Sequence, residues 1–143
     1  MRLSIRAATV EDLPAAIDLL RQARLPTEDL TPAHLALIAE ANIGLLGVIG
    51  IEWYMRTALL RSLVVSPLAR RSGVGRMLVA ALESTAIERG TEELWLLTID
   101  ADAFFSKLGF TTRRRDDAPV SIRSSAEFSS LCPGDAILMS KKL

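Results

Sequence analysis

Short strand-like and helix-like patterns of apolar residues alternate along the whole chain. Apolar and polar positions alternate over 3–7, which predicts a first strand. Thr9 is the predicted N-cap of a helix whose apolar side chains lie three and four positions apart up to Ala23, and Pro26 stops it. Segments 45–54 and 58–65 have the apolar content typical of strands and flank a turn.

The segment 34–41 fits a helix or a strand by its periodicity alone. The turn residues at 42–44 favour a strand, because two strands joined by such a turn form a hairpin. We therefore predict an antiparallel meander of three strands over 34–65. A short helix is weakly indicated at 27–30.

The pattern changes after Pro67. Residues 74–89 carry apolar side chains four positions apart and predict a long helix that Gly90 ends. The nearly all-apolar segment 94–98 predicts a strand covered on both faces, and therefore parallel to its neighbour. A helix at 101–108, a polar strand from Phe110, a helical segment at 122–131 and a last strand at 136–139 complete the prediction. This alternation favours an α/β or α+β fold, with one domain over residues 1–143.

Composition narrows the class of protein. The 143 residues include 17 basic and 17 acidic side chains, and this zero net charge argues against a nucleic-acid binder, which needs a basic excess. The first residues include too few apolar side chains for a signal peptide, so we expect none there, and no apolar run is long enough to span a bilayer. The single cysteine, Cys132, excludes an internal disulfide, and no group of Cys and His indicates a metal site. We expect a cytoplasmic protein with neither a metal nor a membrane or nucleic-acid partner.

Candidate chemistry is concentrated between a predicted strand and the start of the long helix. Unpaired backbone N–H groups and the positive end of the helix dipole favour an anion such as a pyrophosphate at that position. The two glycines there let the backbone approach the anion, and the three arginines add donors. An ordinary surface loop is the alternative. The residues concerned are Arg70, Arg71, Ser72, Gly73, Val74, Gly75 and Arg76.

The order of these motifs resembles the GNAT superfamily of N-acetyltransferases. The acetyl-coenzyme A signature of that family is an apolar strand, a Gln/Arg-x-x-Gly-x-Gly/Ala turn and an amphipathic helix, and it is matched here at 59–65, 70–75 and 74–89. A second signature, a Phe-Tyr-x-Lys-x-Gly-Phe-like helix end, is matched at 104–110. The segments 60–63 and 96–98, the pair Phe104–Phe105 and the tail at 124–133 together add a similarity to the small acetyltransferases associated with bacterial arsenic resistance, and a more distant one to glutamate-type amino-acid N-acetyltransferases.

The resemblance implies a mixed, mostly antiparallel central sheet with helices on both faces. A splayed pair of parallel strands would form the cleft for acetyl-coenzyme A, the co-substrate. It also implies a small-molecule amine acceptor as partner, and it allows a homodimer. Lys107 would meet a coenzyme phosphate or remain a solvated helix lysine, and Thr98 stands where many relatives have an asparagine. The coenzyme-binding residues implied are Leu63, Val64 and Val65 at the pantetheine arm, the turn 70–76 at the pyrophosphate, and Thr98, Phe105 and Lys107.

Acetyl transfer to an amine needs a base for the amine and is helped by an acid for the departing thiolate. In many relatives a tyrosine on the second signature is the acid, but Phe105 stands at that position here. Tyr54, the only tyrosine, and Glu52 share one face of a predicted strand and are the candidate acid and base. Two exposed residues on a solvated face are the alternative. Asp100, His34 or a water chain are further candidates for the base.

Arg61 gives the best indication of the substrate, because a guanidinium in an apolar strand is costly unless it meets an anion. That anion is either a carboxylate or oxyanion of the acceptor or Glu52 across the hairpin. We therefore expect an N-acetyltransferase that acts on a small anionic amine, such as an amino acid or an organoarsenical amino acid analogue in arsenic resistance. The alternatives are a coenzyme-binding module with little catalysis and a glutamate-type amino-acid N-acetyltransferase.

Overall fold

The computed structural model describes residues 2–131 and 134–143, so Cys132 lies outside the described residues. In these ranges seven strands form one sheet in the order β1-β2-β3-β4-β5-β7-β6. The strands are β1 (Ser4–Ala7), β2 (Leu35–Ala41), β3 (Gly44–Trp53), β4 (Thr57–Val65), β5 (Glu93–Thr98), β6 (Thr111–Arg113) and β7 (Ile137–Lys142). The helices are α1 (Leu13–Gln22), α2 (Val74–Glu88), α3 (Asp102–Lys107) and α4 (Val120–Arg123).

The chain divides into two compact units. The first consists of the residues through Ile51 together with Arg61–Thr85, and the second of Glu52–Leu60 together with the residues from Ala86 onward. The expectation of one domain over 1–143 stays a prediction.

In the first unit, β2 pairs antiparallel with both β1 and β3, so the predicted hairpin is confirmed. The apolar stripe of α1 buries Ala16 and Leu20 completely against residues of β2 and β3. Gly47 in β3 lets α2 approach, because a Cβ there would lie 3.1 Å from the Leu78 side chain. The start of α2, and with it the 70–76 turn, is therefore fixed by close packing on β3.

The second unit contains the parallel pair predicted from the apolar segment 94–98. β4 and β5 pair in parallel from Thr57↔Glu93 to Leu59↔Trp95, and β7 pairs antiparallel with β5 and with β6. A buried cluster of Leu59, Trp95, Ala118, Ile122 and Leu138 forms its core. The mixed, mostly antiparallel sheet expected from the resemblance is thus confirmed.

Three predicted elements take a different form. Residues 27–30 form a turn rather than a helix, closed by a 3.1 Å hydrogen bond from the Leu30 N–H to the Thr27 carbonyl. The first helix starts only at Leu13, after a 3-10 turn at Val10–Asp12. The predicted helix at 122–131 is divided into the short α4 and a π-helical turn at Glu127–Leu131. In the described ranges, no helix combines the length and the apolar content that crossing a bilayer requires.

Candidate functional site

The turn between β4 and α2 is held by hydrogen bonds of Ser66 and Ser72. The Ser66 N–H donates to the Leu46 carbonyl at 2.7 Å, and the Ser66 hydroxyl accepts from the Leu68 N–H at 3.2 Å. The Ser72 backbone N–H and hydroxyl both donate to the Ala69 carbonyl. These bonds fix the direction in which the chain enters α2.

Two residues of this turn adopt left-handed backbone conformations, Arg71 with φ 65° and Gly73 with φ 86°. Gly73 precedes α2 directly, and glycine takes this conformation without the steric cost of a side chain. The first N–H groups of an α-helix have no partner within the helix, so the amino end of the 15-residue α2 presents donors. This arrangement can bind an anion.

The three arginines of the turn, Arg70, Arg71 and Arg76, are exposed. Within the described ranges none of their guanidinium groups takes part in an ion pair. Arg76 Nη2 lies 3.5 Å from the position that a Cβ on Gly73 would occupy. The structure therefore brings cationic donors to the amino end of α2, where a polyanion would be stabilised most.

Leu63, Val64 and Val65 are the last residues of β4 and lie beyond its pairing with β5, which extends to Leu59↔Trp95. Val64 is buried in the core of the first unit, whereas its two neighbours are half-buried. Backbone groups of a strand that extends past its neighbour's ladder are suited to hydrogen bonding with an extended ligand.

The remaining residues predicted for coenzyme binding lie in the second unit. The Thr98 hydroxyl accepts a 3.0 Å hydrogen bond from the Ala101 N–H just before α3, so it is occupied in shaping that turn. Phe105 is 5% exposed and packs edge-to-face on Phe104 and Phe110, with ring centroids 5.0 and 5.5 Å away. Lys107 is exposed at the last residue of α3. Thr98 and Phe105 therefore have evident structural roles.

Glu52 and Tyr54 point to the same side of the chain, as the strand alternation predicts. The Tyr54 hydroxyl donates to Glu52 Oε1 at 2.8 Å, and both side chains are partly buried. A carboxylate with a hydroxyl donor on one oxygen can accept a proton and pass one on through that bond. The structure thus joins the candidate acid and the candidate base in one hydrogen bond.

Arg61 meets an anion within the chain, and the prediction did not name that anion. Its Nη1 and Nη2 atoms bind the two oxygens of Asp29 at 2.6 and 2.7 Å, and its side chain is 0% exposed. This bidentate bond holds the pKa of the Asp29 carboxyl below its usual value, against a smaller opposing effect of burial. Asp29 therefore supplies the anion that the buried guanidinium of Arg61 requires, so the position of Arg61 in an apolar strand does not by itself indicate an anionic acceptor.

Sequence reasoning also missed a backbone feature next to Arg61. Ser62, in the middle of β4, has φ 59°, a left-handed conformation that a serine rarely adopts. Gly50 of β3 faces it closely, since a Cβ there would lie 2.6 Å from the His34 carbonyl and 3.3 Å from the Ser62 Cβ. In the sequence, the glycine at position 50, between strand-forming residues, is the signal that β3 and Ser62 lie close together.

The model of the acetyltransferase (GNAT) family matches residues 3–110. The chain therefore belongs to the GNAT acetyltransferase family, and the resemblance found in the sequence is confirmed.

Individual relatives agree with this assignment. An uncharacterised N-acetyltransferase of Chlorobaculum tepidum is 30% identical over 86 residues, which are 59% of this chain and 55% of that protein, so the match spans about half of the relative. N-acetylglutamate synthase of Neisseria gonorrhoeae, complexed with coenzyme A and N-acetyl-glutamate, matches with a TM-score of 0.85 and 21% identity over 100% of this chain, which is 35% of the synthase. Rv2747 of Mycobacterium tuberculosis, in complex with CoA and NLQ, has a TM-score of 0.82 and 20% identity over 98% of this chain and 99% of Rv2747. At these identities the solved structures show a shared fold.

Proposed function

We propose that the chain is an N-acetyltransferase that moves an acetyl group from acetyl-coenzyme A to a small amine. The observation that carries this proposal is the turn before α2 in a member of the GNAT family. It combines a left-handed Gly73, the amino end of a long helix and three exposed arginines. A doubly charged pyrophosphate is the ligand that this set of donors fits best.

Each part of the coenzyme has a proposed partner. The backbone N–H groups at the start of α2, with Arg70, Arg71 and Arg76, bind the pyrophosphate. The backbone groups of Leu63, Val64 and Val65, at the end of β4, bind the pantetheine arm. Lys107, exposed at the end of α3, is available to a coenzyme phosphate. Phe105 and Thr98 support α3, and their contact with the coenzyme stays a prediction.

Acetyl-coenzyme A supplies the acetyl thioester, and the chain moves the protons. The uncharged acceptor amine forms a bond from its nitrogen to the acetyl carbon, and Glu52 accepts the proton that this nitrogen loses as the bond from that carbon to sulfur breaks. Tyr54 gives its hydroxyl proton to the departing sulfur and regains one from Glu52 through their 2.8 Å hydrogen bond. One proton thus passes from nitrogen to sulfur, and both side chains return to their starting state.

The acceptor class we propose is an amino acid or an organoarsenical amino acid analogue. A shared fold with a synthase solved with N-acetyl-glutamate supports a carboxylate-bearing amine. The similarity of the segments 60–63, 96–98, 104–105 and 124–133 to acetyltransferases associated with arsenic resistance supports the arsenical analogue and a role in arsenic resistance. Since Asp29 already pairs with Arg61, the anionic character of the acceptor rests on these similarities.

A coenzyme-binding module with little catalysis is the second candidate. The observation that favours it is Phe105, a buried ring with no exchangeable proton at the position where many family members have a tyrosine.

One assay separates the two candidates. Release of free coenzyme A thiol is measured for the purified protein with acetyl-coenzyme A and a panel of amino acids and amine-bearing arsenicals, alongside calorimetric titration of the coenzyme. Thiol release that depends on an acceptor supports the transferase. Tight coenzyme binding without turnover on any acceptor supports the module, and absence of coenzyme binding contradicts both.

A further inference from the structure

Ser62 has a strained backbone conformation directly before the residues proposed to bind the coenzyme arm. Its φ of 59° lies within β4, directly before Leu63–Val65. A left-handed residue in a strand turns the backbone N–H and carbonyl groups that follow it. A non-glycine residue holds this conformation only where its surroundings enforce it.

The side chain of Arg61 provides such an enforcing contact. Arg61 Nε donates to the Ser62 hydroxyl at 3.2 Å, while its two terminal nitrogens bind Asp29. Asp29 belongs to the segment between α1 and β2, and the Ser62 side chain is buried with Arg61. The guanidinium is thus fixed at one end by a carboxylate and holds the strained serine at the other.

We propose that Arg61 and Asp29 are positioning residues for acetyl transfer. They hold Ser62 in its left-handed conformation and thereby set the direction of the backbone groups of Leu63–Val65. This inference rests on the proposed function, because those groups matter only if they bind the coenzyme arm. It assigns the segment between α1 and β2 a part in coenzyme binding through the ion pair of Asp29 with Arg61.

The competing role for Arg61 is direct contact with the acceptor. The geometry favours positioning, because both terminal nitrogens are already bound to Asp29 and the side chain is fully buried. The two roles predict weaker binding of different substrates when the guanidinium is removed. Positioning affects coenzyme affinity, whereas direct contact affects the acceptor KM.

A glycine at position 62 distinguishes the roles further. Glycine adopts the left-handed conformation about as readily as the extended one, so it needs no guanidinium to hold it there. The test therefore compares Arg61→Met, Asp29→Asn, Ser62→Gly and the double variant Arg61→Met with Ser62→Gly. Asp12→Asn is the matched control, because Asp12 also accepts a bidentate bond from an arginine, Arg6, at 2.8 and 2.9 Å.

Three quantities are measured for each variant: the acetyl-coenzyme A dissociation constant, the acceptor KM, and the carbon-13 chemical shifts of residue 62, which report its backbone conformation. We expect Arg61→Met to weaken coenzyme binding about tenfold, which matches the population cost of a left-handed non-glycine residue. Asp29→Asn weakens it less, and Asp12→Asn leaves it unchanged. In both clamp variants, Arg61→Met and Asp29→Asn, the residue 62 shifts move toward extended values. The double variant binds within about threefold of Ser62→Gly alone, because glycine restores the conformation.

Several results would overturn the proposal. Unchanged residue 62 shifts in Arg61→Met and Asp29→Asn show that the pair does not hold the serine. An increased acceptor KM with intact coenzyme affinity and no rescue by glycine assigns Arg61 to the acceptor. If Arg61→Met does not fold, Asp29→Asn and the shifts decide the question alone. Failure of the wild-type protein to bind the coenzyme refutes the proposed function, whereas the shifts still report whether the pair holds Ser62.

Discussion

The replacement Gly73→Glu tests the assignment of the pyrophosphate to the turn before α2. Gly73 has φ 86° and directly precedes the helix, so a glutamate there brings both a strained backbone and a negative charge to the proposed anion site. We expect the strain to lower the free energy of unfolding. We expect the charge to weaken the binding of acetyl-coenzyme A.

The magnitudes follow from elementary estimates. A left-handed side-chain-bearing residue costs about 1–2 kcal/mol of folding free energy. One negative charge roughly 6 Å from a doubly charged pyrophosphate costs about 1.4 kcal/mol even at the dielectric constant of water, about 80, and more in a partly dry site. Coenzyme affinity is therefore expected to fall at least about tenfold.

Gly90 supplies the matched control, because it has φ 87° and follows the other end of α2, and a Cβ added to it would meet nothing within 4 Å. Gly90→Glu carries the same strain and charge, but at the negative end of the helix dipole, so it destabilises the fold at least as much as Gly73→Glu. Calorimetric titration of acetyl-coenzyme A and urea unfolding are measured on both variants. Equal coenzyme affinities for the two variants would refute the assignment.

Three further predictions concern single side chains. Glu52→Gln keeps an oxygen that accepts the Tyr54 hydrogen bond but takes up no proton, so kcat is expected to fall about 100-fold or more with unchanged coenzyme affinity; steady-state kinetics that match the wild type would remove Glu52 from the mechanism. Gly50→Ala places a methyl group 2.6 Å from a backbone carbonyl oxygen, so urea unfolding should show a loss of about 1–3 kcal/mol. Gly134→Ala, which meets no atom within 4 Å, is its control, and equal losses would contradict the close approach. The Asp29 pKa is lower in the folded than in the unfolded chain. Its stabilisation is therefore fully present above the unfolded pKa and is lost as the pH falls through the folded pKa. Because the Asp12 pKa is lowered as well, both the wild type and Asp29→Asn lose stability in acid, and the quantity to follow is the difference between their unfolding free energies. Urea unfolding between about pH 2 and pH 6 should show this difference decreasing as the pH falls, and a constant difference would contradict the ion pair.

Local patterns were sufficient for most elements of the fold. The turn residues at 42–44 predict β2 and β3 as a hairpin, and the apolar run of β5 predicts a strand that is covered on both faces. The short helix expected at 27–30 is absent, because a helix of four residues gains too few hydrogen bonds to offset the entropy cost of forming its first turn. The position of β7 between β5 and β6 depends on long-range pairing, which no local pattern reports.

The candidate site was predictable to the same extent. The Glu52–Tyr54 pair follows from strand alternation, and the turn before α2 follows from its glycines and arginines. The partner of Arg61 was not predictable, because Asp29 lies 32 residues away in an irregular segment. The strain at Ser62 was also not predictable, since serine has no preference for a left-handed conformation and the neighbouring contacts impose it.

The most direct test of the central claim is transfer of label from acetyl-coenzyme A that carries carbon-13 in its acetyl group. The purified protein is incubated with this coenzyme and an amino acid or amine-bearing arsenical, and the products are followed by carbon-13 NMR. The account predicts that the label appears in an N-acetyl amide, at a rate that Glu52→Gln lowers strongly. Label that remains in the coenzyme, or appears only as free acetate with every acceptor, would contradict it.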